Sequence, residues 1–491
     1  MPIRITGMNS GLDTDSIVKE LVSAYSTKKD DIVKQKTKHE WKQEAWKELN
    51  TKIYSFYTSL DSMRFSNNYG LKKTTVSDTS KASITAQSSA VIGSQTLEIL
   101  ETAKTSYWTG DKVSEDGSIT NKSTLADLGV NTSGSFTLKV GEKETNISLN
   151  SNSTISDVLT QLNDAGINAS FDEKNQRLFL NAKESGKDYD IDIVANDDAG
   201  QKIVDKLGLG AGGAKIKGEN AKIKLNNATF ESNTNSFTIN GLTITTLEKT
   251  NGAISINTTT DNQAIYDKIK NFIKGYNELI KEMDKLYNAD SAKGYEPLTD
   301  DEKDEMSDEE VEKWETKIKD AILRRDQTLS SVSNVMKNAM SVSINIGDKS
   351  YNLSMFGIKT GGYFTAEKNE KSMYHIDGDK DDSSSASSTD KLMAAISSDP
   401  DGVAEFFSKL SQNVYDALDK KMKSTTLSSA YKVYNDKQMD KDYKNYEKSI
   451  AEWEEKVQYY EDYYYKKFSE METALGKLQS SQSSLSNLLG M

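Results

Sequence analysis

Few stretches of this 491-residue chain carry residue types that could do chemistry. Gly208-Leu-Gly-Ala-Gly-Gly213 fits the spacing G-x-G-x-x-G, which cradles a phosphate only when a helix N-terminus follows the glycines. Lys215-Ile-Lys follows instead and reads as a strand, so the glycines are expected to join two β subdomains flexibly. Asp377-Gly-Asp-Lys-Asp-Asp382 begins like a calcium loop. Asp382 stands where that loop needs its turn glycine and Ser388 where it needs a bidentate glutamate, which excludes an EF-hand. The two histidines, His39 and His375, are far apart in sequence, and there is no cysteine. Disulfides, thiolate nucleophiles and cysteine-based metal sites are thereby removed together. The acidic run Thr299–Glu315 reads as a solvated helix face. The tyrosines at 459, 460, 463, 464 and 465 read as an interface belt that shares rings with an internal seam. No catalytic, cofactor-binding or metal-ligating set emerges, and the chain reads as a non-enzyme with no cofactor.

Composition narrows the classes further. The net charge of −13 argues against nucleic acid as a partner, because phosphate binding needs concentrated Lys and Arg. Mean hydropathy is −0.67 and no apolar run is long enough to span a membrane. The opening Met1–Ser10 lacks the basic and apolar regions of a cleaved secretory signal. Three prolines, Pro2, Pro297 and Pro400, leave room for long uninterrupted helices.

The elements that would position any site begin with the two chain ends. Toward the C-terminus, Ile450, Trp453, Val457, Tyr460, Tyr464, Phe468, Met471, Leu475, Leu478 and Leu485 recur at steps of three and four, the seam of a helix that meets another helix. Near the N-terminus, Val18, Tyr25, Ile32, His39, Trp46, Ile53 and Leu60 stand seven apart, and Leu21, Leu49, Phe56 and Met63 fill the second seam position. Lys28, Gln35 and Lys42 make that position polar in between. Trp46 to Met63 can therefore pack firmly, whereas the stretch before it cannot. It holds about a dozen large apolar residues, each worth about 1.5–3 kcal/mol when buried, against a backbone ordering cost of about 1–2 kcal/mol per residue. Both tips are expected to be disordered alone and to fold in an assembly. An intramolecular coiled coil of the two termini is the alternative.

Between the ends, Leu71 to Asn257 alternates β-formers with Thr, Ser, Asn and Gly, with a strong hairpin signal at Asn240-Gly241. Ser153 or Thr154 caps one helix there and Gly166 ends it. Helical periodicity returns at Asp261, with a hairpin expected over Gly347–Phe364 and a flexible linker over Lys380–Ser388. The fold class is α+β multidomain: an antiparallel coiled-coil or helical leg formed by both chain ends, with β-rich head subdomains inserted between them. The expected divisions are a terminal segment 1–45, a leg helix 46–70, head parts 71–100 and 214–260 around an outer insert 101–213, a helical leg domain 261–449, and a coiled-coil segment 450–491. Trp46, Leu49, Ile53, Phe56, Leu60, Trp453, Val457 and Tyr460 are expected to pack the leg.

These residues carry a family resemblance. Gly11-Leu-Asp-Thr-Asp-Ser-Ile-Val-Lys-Glu-Leu and Trp41-Lys-Gln-Glu-Ala-Trp-Lys-Glu-Leu-Asn resemble the N-terminal signature of the bacterial flagellar filament-capping family, also called hook-associated protein two. Tyr276-Asn-Glu-Leu, Pro297-Leu-Thr, Phe356-Gly-Ile, Asp399-Pro-Asp-Gly-Val-Ala-Glu-Phe-Phe and Phe468-Ser-Glu-Met-Glu-Thr-Ala-Leu resemble its C-terminal half. Thr154 to Asn163, with Leu178-Phe-Leu after it, is similar to an insert shared with flagellins. The resemblance implies a structural cap at the distal filament tip that helps exported flagellin fold and insert. It implies a ring-shaped homo-oligomer, contact with flagellin and the filament end, and a cytoplasmic export chaperone on Phe468 to Leu489. Export would be unfolded and without a cleaved signal peptide, to an extracellular position on the flagellum. Leu12, Val18, Leu21, Tyr25, Leu475, Leu478, Leu485 and Leu488 are the expected filament and assembly contacts. Another axial component, a flagellin or junction protein, is one alternative, and the tandem Trp41 and Trp46 speak against it. A surface adhesin whose head binds host glycan or mucin is the other.

Overall fold

The computed structural model describes residues 9–362 and 364–489, with side chains through 485. The chain divides into two compact units, Met1–Tyr69 with Ile265–Met491, and Gly70–Ala264, here called the leg and the head. The architecture is α+β and multidomain, as the sequence predicts.

The leg is framed by the N-terminal helix Thr14–Ser59 and the C-terminal helix Asp436–Leu489. Asp13 starts the first, its carboxylate accepting from Ser16 N at 3.1 Å. Neither proline nor glycine interrupts the next forty-six residues. Burial along this helix follows the seam: Trp46, Leu49, Ile53 and Phe56 are enclosed, whereas only Thr14, Val18 and Val22 are enclosed before them. Trp46 stacks on Tyr434 with centroids 5.4 Å apart, Phe56 on Phe272 at 6.2 Å, and Tyr57 on Tyr415 at 4.5 Å. Asn50 is buried with both ends of its amide used. Its Nδ2 donates to Tyr431 O at 3.1 Å and its Oδ1 accepts from Val433 N at 2.9 Å, which satisfies two backbone groups of the loop. Helix Asn262–Tyr287 brings Ile269, Phe272, Tyr276 and Ile280 into the interior. Helix Pro400–Met422 starts on Pro400, capped by Asp399, and buries Phe406 and Phe407.

Two expectations in the leg are corrected. The hairpin is smaller and earlier, Ile344–Ile346 against Lys349–Tyr351, while Ile358–Thr360 pairs with Tyr374–Ile376. The serine-rich stretch after Lys380 is anchored. Lys270 on a distant helix places its ammonium 2.6 Å from both Asp379 and Asp381, and Asp379 and Ser385 are buried. Composition alone cannot show that a cation from elsewhere holds such a loop.

The head contains two hydrophobic cores, and every strand pair among its described residues is antiparallel. One core includes Leu97, Ile99, Ile223, Leu242, Ile244 and Ile256. It is formed by a five-stranded sheet, ordered Lys72–Val76, Ile254–Thr260, Gly93–Glu101, Ala221–Leu225, Ala228–Ser232, and a three-stranded sheet, Ser236–Ile239, Leu242–Thr246, Ala82–Ala86. The other includes Leu125, Phe136, Leu138, Leu162, Leu180 and Ile203. Its sheets are Ala214–Ile216, Thr105–Thr109, Arg177–Ser185, Ile167–Asp172 and Lys143–Leu149, Gly134–Val140, Ile191–Ala195. Of the two cap candidates, Thr154 is the one that starts helix Ile155–Asp164, completed by Asp157 as a capping box.

Helix Asp198–Lys206 was not expected. It starts at Asp197, and a Cβ on its Gly200 would lie 1.9 Å from Ser135 O, so only glycine allows the helix this close to its neighbouring strand. Gly208 follows it with φ +71°, where a Cβ would come 2.3 Å from Asp111 O. The glycine run is thus packed against Asp111 after a helix C-terminus, and it offers no helix N-terminus to an anion.

Candidate functional site

The dispersed polar candidates assemble no reaction centre. His375 Nδ1 lies 2.5 Å from Asp382 Oδ2 and 3.1 Å from Ser384 Oγ. Burial raises the Asp382 pKa, but the hydrogen bonds from Ser384 and His375 outweigh it and hold the carboxyl low. Serine and aspartate meet the same ring nitrogen, whereas a nucleophilic triad needs them on opposite ones. His39 Nε2 lies 2.8 Å from Met439 O and its ring faces Tyr446 at 5.6 Å, so it joins two helices. Among the described residues no group of three or more His, Cys, Asp or Glu is arranged to hold a metal ion.

What the leg does assemble is an antiparallel pair of chain ends. Gln43 reaches Asp440 at 3.2 Å, and Lys36 lies over the Tyr443 ring at 4.7 Å. Tyr25 stacks on Tyr460 at 4.2 Å, and Tyr465 OH donates to Asp15 at 2.8 Å. At the end of the series Glu472, which is buried, fastens the N-terminal turn. Its carboxylate accepts from Asn9 N at 2.8 Å, from Ser10 N at 3.2 Å and from Ser10 Oγ, and its backbone carbonyl accepts from Asn9 Nδ2 at 3.0 Å. The Ser10 hydroxyl first, then Asn9 N–H, holds this carboxyl below the usual glutamate range.

Of the polar seam positions, Lys42 has a partner that periodicity could not supply, and so do nearby Lys34 and Trp41. Lys42 pairs at 2.8 Å with Asp326, the carboxylate that caps helix Gln327–Met340. Lys34 pairs at 2.6 Å with Glu302, and Lys319 lies over Trp41 at 4.6 Å. Within the acidic run Glu302 thus braces the N-terminal helix, while most of the run is exposed, in keeping with its reading as a solvated face.

The eight residues expected in one leg seam are divided. Trp46, Leu49, Ile53, Phe56 and Leu60 are enclosed in the leg interior. Trp453, Val457 and Tyr460 are half-buried farther along the C-terminal helix. The antiparallel register explains the split: with Tyr25 on Tyr460 and Lys36 on Tyr443, Trp453 falls beside the weaker first half of the N-terminal helix. Of the expected contact residues, Leu12, Leu21, Leu478 and Leu485 are exposed, the last two by 66% and 60%. Tyr25 and Leu475 are half-buried. Val18 is fully enclosed, which withdraws its side chain from any partner in this conformation. The side chain of Leu488 lies outside the described residues. Sequence reasoning missed Asn9, Ser10 and Glu472, although the polar Glu472 beside Met471 in the seam marks the place.

The paired terminal helices leave the large apolar side chains of Leu12, Leu21, Leu478 and Leu485 in solvent. The family model described as flagellar hook-associated protein 2 C-terminus matches residues 218–480, and that of the N-terminus matches 10–106. The flagellin hook IN motif matches 135–184, within the head. A flagellar hook-associated protein 2 from Halalkalibacterium halodurans is 24% identical over 443 residues, covering 82% of this chain and 78% of the relative. One from Thermotoga maritima is 25% identical, covering 70% of this chain and 53% of the relative. The fold is similar to a crystal structure of the flagellar cap protein FliD D1-D2-D3 domains from Escherichia coli. Its TM-score is 0.54 at 19% identity, over 81% of this chain and 99% of that one. The chain belongs to the flagellar hook-associated protein 2 family.

Proposed function

We propose that this chain is a structural cap at the distal tip of the bacterial flagellar filament, where it promotes the folding and insertion of exported flagellin subunits. The observation that carries this reading is the paired chain ends of a hook-associated protein 2 family member, with Leu12, Leu21, Leu478 and Leu485 left in solvent. Several copies would form a ring, and flagellin and the filament end would be met by these leucines together with Tyr25 and Leu475. Val18 would act from inside by holding the tip in shape. Contacts made by thinly packed helices can open and re-form at low cost, as a cap must while each subunit is added. The protein works by association, without covalent chemistry or cofactor.

The segment from Phe468 onward would be covered by a cytoplasmic chaperone before export, since Leu478 and Leu485 are apolar surface that water would otherwise meet. Export unfolded and without a cleaved signal then places the protein outside the cell. Contact with host glycan or mucin would fall to the head, where Tyr107, Phe179 and Ile216 share the exposed face of the four-stranded sheet.

The test is immunogold electron microscopy of detached filaments with antibody against the head. Label confined to the distal tip is expected. Label along the filament would make the chain a flagellin-like subunit, and label at the hook end a junction protein. Label on the cell body alone would overturn the flagellar reading.

A further inference from the structure

The head carries two Asn-Gly pairs, Asn240-Gly241 and Asn251-Gly252, and the fold holds them in opposite states. Asn-Gly is the dipeptide most open to spontaneous deamidation, because glycine adds no side chain to shield the attacking nitrogen. The Gly nitrogen, once deprotonated, forms a bond to the Asn side-chain carbonyl carbon. The bond from that carbon to Nδ2 breaks, and ammonia leaves. Water then opens the five-membered imide on either side, giving aspartate or isoaspartate. One amide nitrogen is exchanged for oxygen, nothing is oxidised, and one negative charge is gained. The reaction requires the backbone to swing until the Gly nitrogen faces the Asn side chain.

Asn240 cannot make that swing cheaply. It sits in the two-residue turn between Ser236–Ile239 and Leu242–Thr246, with φ +49° at Asn240 and +78° at Gly241. Gly241 O accepts from Gln87 N at 2.8 Å, and a Cβ on Gly241 would lie 2.6 Å from Ala90 N, so backbone closes around the turn. An extra main-chain carbon, which isoaspartate introduces, has no room there.

Asn251 is in the contrary position. It is exposed in an open bend between strands Leu242–Thr246 and Ile254–Thr260. Nothing lies within 4 Å of a Cβ built on Gly252, so the peptide can rotate and can absorb an added carbon. The bend is anchored just before it, where Thr250 N donates to Ile99 O at 3.0 Å and Thr250 Oγ1 accepts from Ile99 N at 2.9 Å. A change at 251 therefore stops short of the sheet.

We infer that Asn251 is a site of spontaneous deamidation, and that the folded head protects Asn240 from the same chemistry. The full-length protein would be held in mildly alkaline buffer at body temperature, sampled over weeks and mapped by peptide mass spectrometry. The expected result is a one-dalton gain at Asn251, split between aspartate and isoaspartate, growing at least several-fold faster than any gain at Asn240. In denaturant the two sites should react at similar rates. Asn251→Gln should remove the acidic species that otherwise builds up on ion exchange. An unmodified Asn251, or equal rates at both sites in the folded protein, would overturn the inference. A rate difference that persists in denaturant would also overturn it, because the fold would then not be its cause.

Discussion

Tyr25 and Tyr460 lie ring on ring, with centroids 4.2 Å apart and planes 17° from parallel, although one belongs to the first helix of the chain and the other to the last. This contact stands where the N-terminal helix has few enclosed residues, Val18 and Val22 among them.

A double-mutant cycle measures the contribution of this contact. Tyr25→Ala and Tyr460→Ala should each speed amide exchange in the outer halves of the two terminal helices, leaving the segment around Trp46 protected. The coupling between them should be about 0.5–1.5 kcal/mol. Strictly additive effects would mean that the rings meet without holding the ends together.

Glu472 makes the end of the pair sensitive to acid. Its native pKa is lowered by Ser10 and Asn9. Such a group contributes stability above its unfolded pKa and loses that contribution as pH falls through the lowered native value. The fastening is therefore complete at neutral pH and released on acidification below the ordinary glutamate range. Amide exchange at residues 10–16, corrected for intrinsic rates, should show this loss of protection. Glu472→Gln should show weak protection at every pH, with a flat profile.

Trp46 is where the leg itself is keyed. It is enclosed and stacked on Tyr434, so Trp46→Ala should cost about 3–5 kcal/mol. Denaturant unfolding followed by the helical circular dichroism signal would measure it.

The tip leucines predict the reverse pattern. Leu478→Ser and Leu485→Ser remove exposed side chains and should change stability by no more than about 0.5 kcal/mol. Filament growth and tip labelling should be lost all the same. Collapse of the whole fold instead would assign these residues to an internal core.

The helix–strand–helix plan was legible because it rests on local patterns: sevenfold spacing before Leu60, alternation in the head, Asn240-Gly241 at a turn and Thr154 at a cap. What the sequence hid is non-local. Lys42 and Asp326 are an ordinary lysine and an ordinary aspartate until folding brings them to 2.8 Å. The heptads of the N-terminal helix do not say that Phe56 meets Phe272 while Tyr25 meets Tyr460. Gly200 lowers the helix propensity of 198–206, and propensity cannot know that Ser135 O lies against it. At the candidate site, Leu478 and Leu485 were legible as residues of the C-terminal seam, and the structure leaves them exposed. The Asn9–Glu472 fastening was not legible, since its two halves lie 463 positions apart.

That separation bears on how the molecule comes into being. Contacts between segments so far apart in sequence raise the contact order, and such contacts form slowly. The delay is kinetic, because doubling an intervening loop costs only about 0.6 kcal/mol. The two-helix end is accordingly the last part of the chain able to close. A molecule delivered one end first, by whatever route, stays unzipped at that end until its final helix has emerged.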